Sequence, residues 1–257
     1  DNALLIIDRT GFASGLFGDL FLDPQYSNVS GGEIRIGTGL TPASQTFSIN
    51  ASIPLWNFSV DGTSTTKVVQ LLNNPLTVQR NLTIEGMSIF MARGYNVSIG
   101  GNLTNLNPTA TKSTLTASYG GYRAGANAAE IANQVTTFNG NSAQTITGVS
   151  GNLTCFSNVV VNNTSGGLNQ ASNTNIAVIS NLQVLSGDIN AGNNNITVDG
   201  NTENSFNINN TGSGYFICGS PTSGIQTISG NGNGTFGNFR VNNSAGINIS
   251  APLTING

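Results

Sequence analysis

Short alternating triplets separated by turn residues constrain this chain more than any other feature. The last 22 residues contain three of them, at 239–241 (FRV), 247–249 (INI) and 253–255 (LTI). In each triplet two apolar side chains face one way and a polar one faces the other. Strands this short cannot bury an apolar face alone, so each must stack on an equivalent strand in a neighbouring coil. The pattern predicts an all-β fold, a parallel β-solenoid.

The opening of the last module recurs twice, because 57–64 and 158–165 resemble 238–245. When the copies are superposed, some positions stay apolar and others vary. A packed face does not tolerate such variation, so the constant apolar positions face the core and the variable positions face solvent. The invariant first Asn predicts a corner where stacked amides form a ladder. We therefore predict three groups of residues. The side chains that face the core are Phe58, Val159, Phe239, Val60, Val161 and Val241. Those that face solvent are Ser59, Val160 and Arg240, and those at the corner are Asn57, Asn158 and Asn238.

Composition excludes several function classes. Of the 257 residues only 7% are charged, the net charge is −3 and there is no histidine. A Ser-His-Asp triad and a His-ligated zinc site are thus ruled out, and neither charge sign favours nucleic acid or an anionic membrane. No apolar run reaches transmembrane length. Because the chain starts and stops within its pattern, we interpret it as an excerpt of a longer, processed protein.

Two segments depart from the regular pattern. We predict that residues 1–44 form an irregular N-terminal cap or lead-in and that residues 45–257 form the solenoid coils of one continuous domain. An insertion at 105–135 includes an Ala-rich stretch that favours a helical turn or two. We expect this insertion to project as a loop, either as a solvated excursion or as a contact for a ligand. Its candidate contact residues are Tyr119, Tyr122 and Arg123.

Few residues are suited to catalysis or metal binding. Asp19 and Asp23 are the best calcium ligands, although their spacing fits solvated turns better. Glycoside hydrolysis needs two carboxylates about 5–10 Å apart, and Asp188 with Asp199 is the nearest pair, with Glu203 close in sequence. Because acidic residues are so sparse after position 44, we expect no catalytic residues, no metal site and no cofactor.

The two cysteines, Cys155 and Cys218, are predicted to be unpaired. At about twenty residues per coil they lie about three coils apart, which is about 14 Å along the stack. That separation exceeds what a disulfide can span.

Fourteen N-x-[ST] sequons occur in the chain. The repeat itself produces this motif, since an Asn at a turn is often followed by an apolar residue and then by a Thr or Ser. In an extracellular host the motif marks glycan acceptors. The candidate acceptors are Asn28, Asn50, Asn57, Asn81, Asn102, Asn152 and Asn248.

Several strings resemble the repeats of large β-helical cell-surface proteins of Bacteroidota. They are FGNFRVNNSAG (236–246), APLTING (251–257), QLLNNPLTV (70–78), RNLTIEG (80–86), NVSIGGNLTN (96–105), and GGEIRIG (31–37) with QTFSIN (45–50). The resemblance covers most of 30–104 and 144–257. It implies a right-handed parallel β-helix, export by the type IX secretion pathway, and a role in surface adhesion or gliding motility. It brings no catalytic residues.

We therefore expect a non-enzymatic, extracellular segment of a surface protein, the shaft of an adhesin or filament. Its partners would be surface glycans or other cells, without nucleic acid or membrane insertion. One alternative is a β-helix that binds or cleaves carbohydrate through an exposed aromatic strip. Another is a self-assembling filament subunit, because an open strand edge templates pairing with identical chains.

Overall fold

Parallel strands follow one another around a helical path in the computed structural model, which describes residues 3–11, 16–63, 65–109, 121–219 and 224–257. The expected parallel β-solenoid is confirmed, because every strand pairing among the described residues is parallel and joins one coil to the next. The only helix among the named elements is α1 (Ala128–Asn133). In a solenoid of this kind each coil contacts only the coils above and below it.

The strands form three faces. Sheet 1 has eleven strands: β1 (Leu4–Ile7), β3 (Glu33–Ile36), β5 (Asn57–Val60), β8 (Leu82–Ile84), β11 (Leu103–Asn105), β14 (Gln144–Thr147), β17 (Leu168–Gln170), β20 (Ile189–Gly192), β23 (Asn207–Asn210), β26 (Thr235–Phe236) and β29 (Thr254–Ile255). Sheet 2 has eight: β7 (Leu76–Val78), β10 (Val97–Ile99), β13 (Val135–Phe138), β16 (Asn158–Asn162), β19 (Leu182–Ser186), β22 (Thr202–Asn204), β25 (Gln226–Ser229) and β28 (Ile247–Ile249).

The third face is divided into two sheets of five strands. Sheet 3 contains β2 (Leu20–Leu22), β4 (Gln45–Ala51), β6 (Lys67–Leu71), β9 (Ile89–Met91) and β12 (Gly121–Arg123). Sheet 4 contains β15 (Leu153–Phe156), β18 (Asn175–Val178), β21 (Ile196–Val198), β24 (Phe216–Cys218) and β27 (Phe239–Val241). Sheet 4 continues the face where sheet 3 ends, because β15 packs beside β12.

Stacked apolar columns form the core. In sheet 1 Phe58 pairs with Leu82, Leu82 with Leu103, and Leu103 with Ile146, and all four are fully buried. Each such side chain contributes roughly 1.5–3 kcal/mol when it leaves water. The alternating triplets seen in the sequence thus place one row of side chains in a continuous core and the other row on the surface.

The three similar modules lie on three different faces. Asn57 begins β5 in sheet 1, Asn158 begins β16 in sheet 2, and Asn238 precedes β27 in sheet 4. They therefore do not stack on one another, and the expectation that they share one corner was wrong. The repeating unit of the sequence is one strand with its corner, which any of the faces can use.

Amide ladders nevertheless form, and they join Asn57 and Asn158 to Asn residues at the same corner of the following coils. The Asn57 Oδ1 accepts from the Asn81 backbone N–H (3.2 Å), and the Asn81 Oδ1 accepts from that of Asn102 (3.0 Å). An equivalent ladder runs from Asn158 through Asn181 to Asn201. Each amide satisfies a backbone donor at a corner, where the sheet hydrogen bonds stop.

The strands that the structure describes within residues 1–44 already belong to the solenoid. β1 and β3 pair in sheet 1, and β2 pairs with β4 in sheet 3. The apolar run at the start forms a strand as expected, but it is not buried. Leu4, Leu5 and Ile6 are 44–49% exposed, because β1 is the edge strand of its sheet.

The described part of the 105–135 segment is built into the stack as well. Its strand β12 pairs in register with β9, and α1 forms at the predicted Ala-rich stretch. The helix lies against the corner, where Glu130 forms an ion pair with Arg93 (3.1 Å) and Ile131 is buried. The projecting loop predicted here is therefore wrong for the described part, and residues 110–120 lie outside it.

The cysteine prediction is confirmed. Cys155 lies on β15 and Cys218 on β24, three strand steps apart in sheet 4, and both thiols are buried without a disulfide between them. Within the described ranges no helix combines the length and apolar character that crossing a membrane requires.

Candidate functional site

The two predicted ligand contacts that the structure describes in the 105–135 segment, Tyr122 and Arg123, are both buried. Tyr122 is fully buried in the core, packed between Phe90 and Phe156. Its hydroxyl lies 2.7 Å from the Thr136 Oγ1, and burial raises the pKa of this phenol above its usual range. Arg123 is only 9% exposed, and Tyr119 lies outside the described residues. Tyr122 is therefore a core residue, because inward alternation along β12 directs it into the stack.

The candidate calcium ligands have backbone and hydroxyl partners. Both carboxylate oxygens of Asp19 accept backbone N–H groups, from Gly11 (2.6 Å) and Ser48 (2.7 Å), and Asp23 accepts the Ser52 hydroxyl. Asp19 thereby joins an N-terminal loop to β4. Among the described residues no group of three His, Cys, Asp or Glu side chains could hold a metal ion.

The candidate catalytic carboxylates occupy different parts of the coil. Asp188 lies at the corner between β19 and β20, where it accepts from Asn207. Asp199 is 5% exposed at the corner between β21 and β22, and Glu203 lies on the outer face of β22, bound to Gln183 (2.8 Å). The shallow groove beside Glu203 is lined by neither aspartate.

The sequons differ in accessibility. Asn50 is 4% exposed, its Nδ2 donates to the Leu16 carbonyl (2.8 Å) and its Oδ1 accepts from Asn74 (2.6 Å), so it is wrong as a glycan acceptor. Asn57 and Asn152 are partly buried, and each Nδ2 donates to a backbone carbonyl. The exposed acceptors are Asn28, Asn81, Asn102 and Asn248.

A groove at the corner between sheets 2 and 1 combines an aromatic ring, a charged side chain and several amides and hydroxyls. We call it the Trp56 groove; its volume is about 340 Å³. It crosses successive coils at β7, β10 and the turn after β13. Its lining consists of Trp56, Thr77, Val78, Gln79, Arg80, Ser98, Gly100, Asn139, Gly140 and Asn141.

Backbone hydrogen bonds fix the floor of this groove. The Arg80 N–H donates to the Trp56 carbonyl (2.8 Å), and the Gly100 N–H donates to that of Val78 (2.8 Å). Buried Gln144 braces the next corner, since its Nε2 donates to the carbonyls of Ile99 (2.8 Å) and Gly101 (2.6 Å). The groove is therefore rigid before any ligand arrives.

Two glycines keep the floor free of side chains. A Cβ on Gly100 would lie 2.4 Å from the Gln79 carbonyl oxygen, and one on Gly140 would lie 2.4 Å from that of Gly100. Both distances are far below contact distance, so only glycine allows the coils to approach this closely. The backbone itself is thus part of the groove surface.

Arg80 and Trp56 form the charged end of the groove. The Arg80 Cζ lies 5.0 Å from the centroid of the Trp56 ring, which is within the range of a cation–π contact. Arg80 is exposed and forms no ion pair with another described residue. It is also the single charged residue in the lining. The opposite side of Trp56 borders an apolar groove that includes Leu5, Ile53 and Pro54.

Sequence reasoning did not find this site. The single tryptophan, at position 56, and Arg80 are 24 residues apart and belong to no recognised motif. One sequence signal could have found it. Trp56 directly precedes the strand NFSV (57–60) and Arg80 directly precedes the similar strand NLTI (81–84), so the two residues occupy equivalent corners of adjacent coils. No family model matches the chain, and neither the curated proteins nor the solved structures contain a match.

Proposed function

We propose that this chain is a structural and adhesive segment of an extracellular surface protein, the shaft of an adhesin or filament. The observation that supports it is the unbroken apolar core, which continues through coil after coil beneath a polar surface with few charges. Such a stack resists bending through its backbone ladders and resists non-specific ion pairing through its composition. Export by the type IX pathway in a member of the Bacteroidota, with a role in gliding, is the context suggested by the repeat strings.

Bead adhesion under flow tests this role. Beads that carry the folded chain should remain on bacterial or host cell surfaces longer than beads that carry a variant with a disrupted core, such as Val161→Asp. Equal detachment of the two kinds of bead would contradict an adhesive role. Single-molecule stretching of tandem copies would then test whether the chain serves as a shaft alone.

A carbohydrate-active β-helix is the second candidate, and the Trp56 groove favours it. Binding and cleavage have different requirements, because cleavage needs paired carboxylates whereas Arg80 is the groove's single charge. Incubation with a panel of polysaccharides should release no new reducing ends and no unsaturated uronates. Release above the buffer rate would replace the structural proposal with an enzymatic one.

A further inference from the structure

We propose that the Trp56 groove binds an acidic polysaccharide, with a carboxylate or sulfate group on Arg80 and sugar hydroxyls on the neighbouring amides. This deepens the adhesive role and rests on it. The Arg80 guanidinium lies over the Trp56 ring and pairs with no carboxylate among the described residues. A cation–π contact uses the charge of the guanidinium and none of its N–H donors. A planar fork of this kind binds carboxylate or sulfate oxygens through two parallel hydrogen bonds.

The rest of the lining suits hydroxyl groups. Thr77, Gln79, Ser98, Asn139 and Asn141 contribute hydroxyls and amides without further charge. Amides both donate and accept, as sugar hydroxyls do. Ser98 already donates to the Asn139 Oδ1 (3.1 Å), which fixes the orientation of that amide.

A peptide would have to bind in a different way. Extended peptides usually add to an open strand edge through their backbone, and β7 is the terminal strand of sheet 2. That edge is already occupied at the groove, because Leu55 forms a parallel bridge to Val78. The Leu55 N–H donates to the Thr77 carbonyl (2.8 Å), and the Gln79 N–H donates to the Leu55 carbonyl (2.7 Å). The groove therefore offers side chains and glycine backbone, which favours a hydroxyl-rich ligand over a polypeptide.

The form of the groove suits a linear polymer. Its lining comes from four successive coils, the first of them that of Trp56, and neighbouring coils are about 4.8 Å apart. A ligand longer than one sugar unit can thus contact Arg80 at one coil and Asn139 and Asn141 at the other end.

Trp56 supplies the readout for a direct test, because it is the only tryptophan in the chain. The folded protein would be titrated with polygalacturonate, dextran sulfate, neutral dextran and poly-glutamate while tryptophan fluorescence is followed. We expect polygalacturonate or dextran sulfate to change the emission, and the preferred one identifies the anionic group. Neutral dextran and poly-glutamate should bind at least about tenfold more weakly. An equal response to poly-glutamate would overturn the glycan assignment, and an equal response to dextran would overturn the role of the anion.

A matched pair of variants completes the test. Arg80→Gln removes the charge from the groove, whereas Arg240→Gln removes it from a second cation–π pair among the described residues, in which the Arg240 Cζ lies 4.1 Å from the Tyr215 ring centroid. Because hydrogen bonds to charged groups are worth about tenfold or more in affinity, Arg80→Gln should weaken binding at least about tenfold with an unchanged unfolding midpoint. Arg240→Gln should stay within about twofold. Equal loss in both variants, or no response to any polyanion, would overturn the proposal.

The bead assay separates this proposal from the adhesive role. Beads that adhere to cells although the wild-type chain binds no polyanion would refute the groove assignment and leave the adhesive function standing. Failure of adhesion as well would refute both.

Discussion

At the residue scale, inward and outward alternation decides which positions tolerate change. Val159 and Val161 are buried and Val160 between them is half-buried on the outer face, as the superposed copies predicted. Ser59 was predicted to face outward and is 6% exposed, because Glu33 and Arg35 of the adjacent strand cover it. Val241 was predicted to face the core and is 44% exposed, because β27 ends its sheet.

A pair of valine substitutions tests the alternation. Val161 lies in register with Phe138 and Val184, all fully buried, so Val161→Asp should place a carboxylate in the core without a partner. We expect a loss of several kcal/mol in the free energy of unfolding. Val160→Asp, its matched control, should cost about 1 kcal/mol or less. Chemical denaturation measures both, and equal losses would contradict the assigned faces.

Thiol reactivity tests the placement of the cysteines. Burial raises the pKa of the Cys218 thiol to about 12, so near pH 8 the folded protein carries almost no reactive thiolate there. A disulfide-exchange reagent should react slowly with native protein and should find two thiols after denaturation without reductant. Finding none would contradict the three-strand separation.

The raised pKa of Cys218 also makes the stability of the folded protein depend on pH. The unfolded thiol ionises near pH 8.5 and the folded one near pH 12. The stabilisation due to the buried neutral thiol is therefore complete below about pH 8.5 and is lost as pH rises from there toward 12. A Cys218→Ala variant should show a smaller decline in its unfolding midpoint across that range.

At the element scale, corners and caps hold short strands that have little intrinsic stability. The helix α1 has only six residues, and a reciprocal cap supports it. The Asn127 Oδ1 accepts from the Glu130 N–H (3.1 Å), and the Glu130 carboxylate accepts from the Ala126 N–H (2.7 Å). The Asn127 bond satisfies a donor that the first turn leaves unpaired, and the Glu130 bond fixes the backbone just before the cap.

Replacing the cap should destabilise this corner. Asn127→Ala should cost about 1 kcal/mol in the free energy of unfolding, whereas Asn127→Ser should cost less, since a hydroxyl can accept the Glu130 N–H without placing a second carboxylate beside that of Glu130. Asn133→Ala in the last turn of the helix serves as the control and should cost less. Urea denaturation distinguishes the three variants. A cost for Asn127→Ala no larger than that for Asn133→Ala would argue against the cap.

At the scale of the whole molecule, stability depends on the number of neighbouring coils. Strands in the middle have a partner on both sides, whereas β1 and β29 end sheet 1 and β28 ends sheet 2. The end strands also expose apolar side chains, including Leu4, Ile249 and Ile255. Local opening should therefore begin at the ends of the stack.

Hydrogen exchange tests this gradient. Amides of β16 and β19, in the middle of sheet 2, should exchange slowest, and those of β28 and β29 fastest. The physical reason is that opening an end strand breaks one interface and opening a middle strand breaks two. Uniform protection along the chain would show that the solenoid opens as one cooperative unit.

The sequence alone determined the architecture, because period-2 alternation interrupted by turn residues has few solutions other than stacked coils. It also determined that Phe58 and Val161 face the core and that Cys155 and Cys218 cannot meet. Only the tertiary structure decided which face each module occupies, since the strands of every face have the same alternation of apolar and polar residues. It also decided which polar residues, such as Lys67, are buried at a corner. The Trp56 groove belongs to this second group, because stacking brings Trp56, Arg80 and Asn141 together from coils that are distant in sequence.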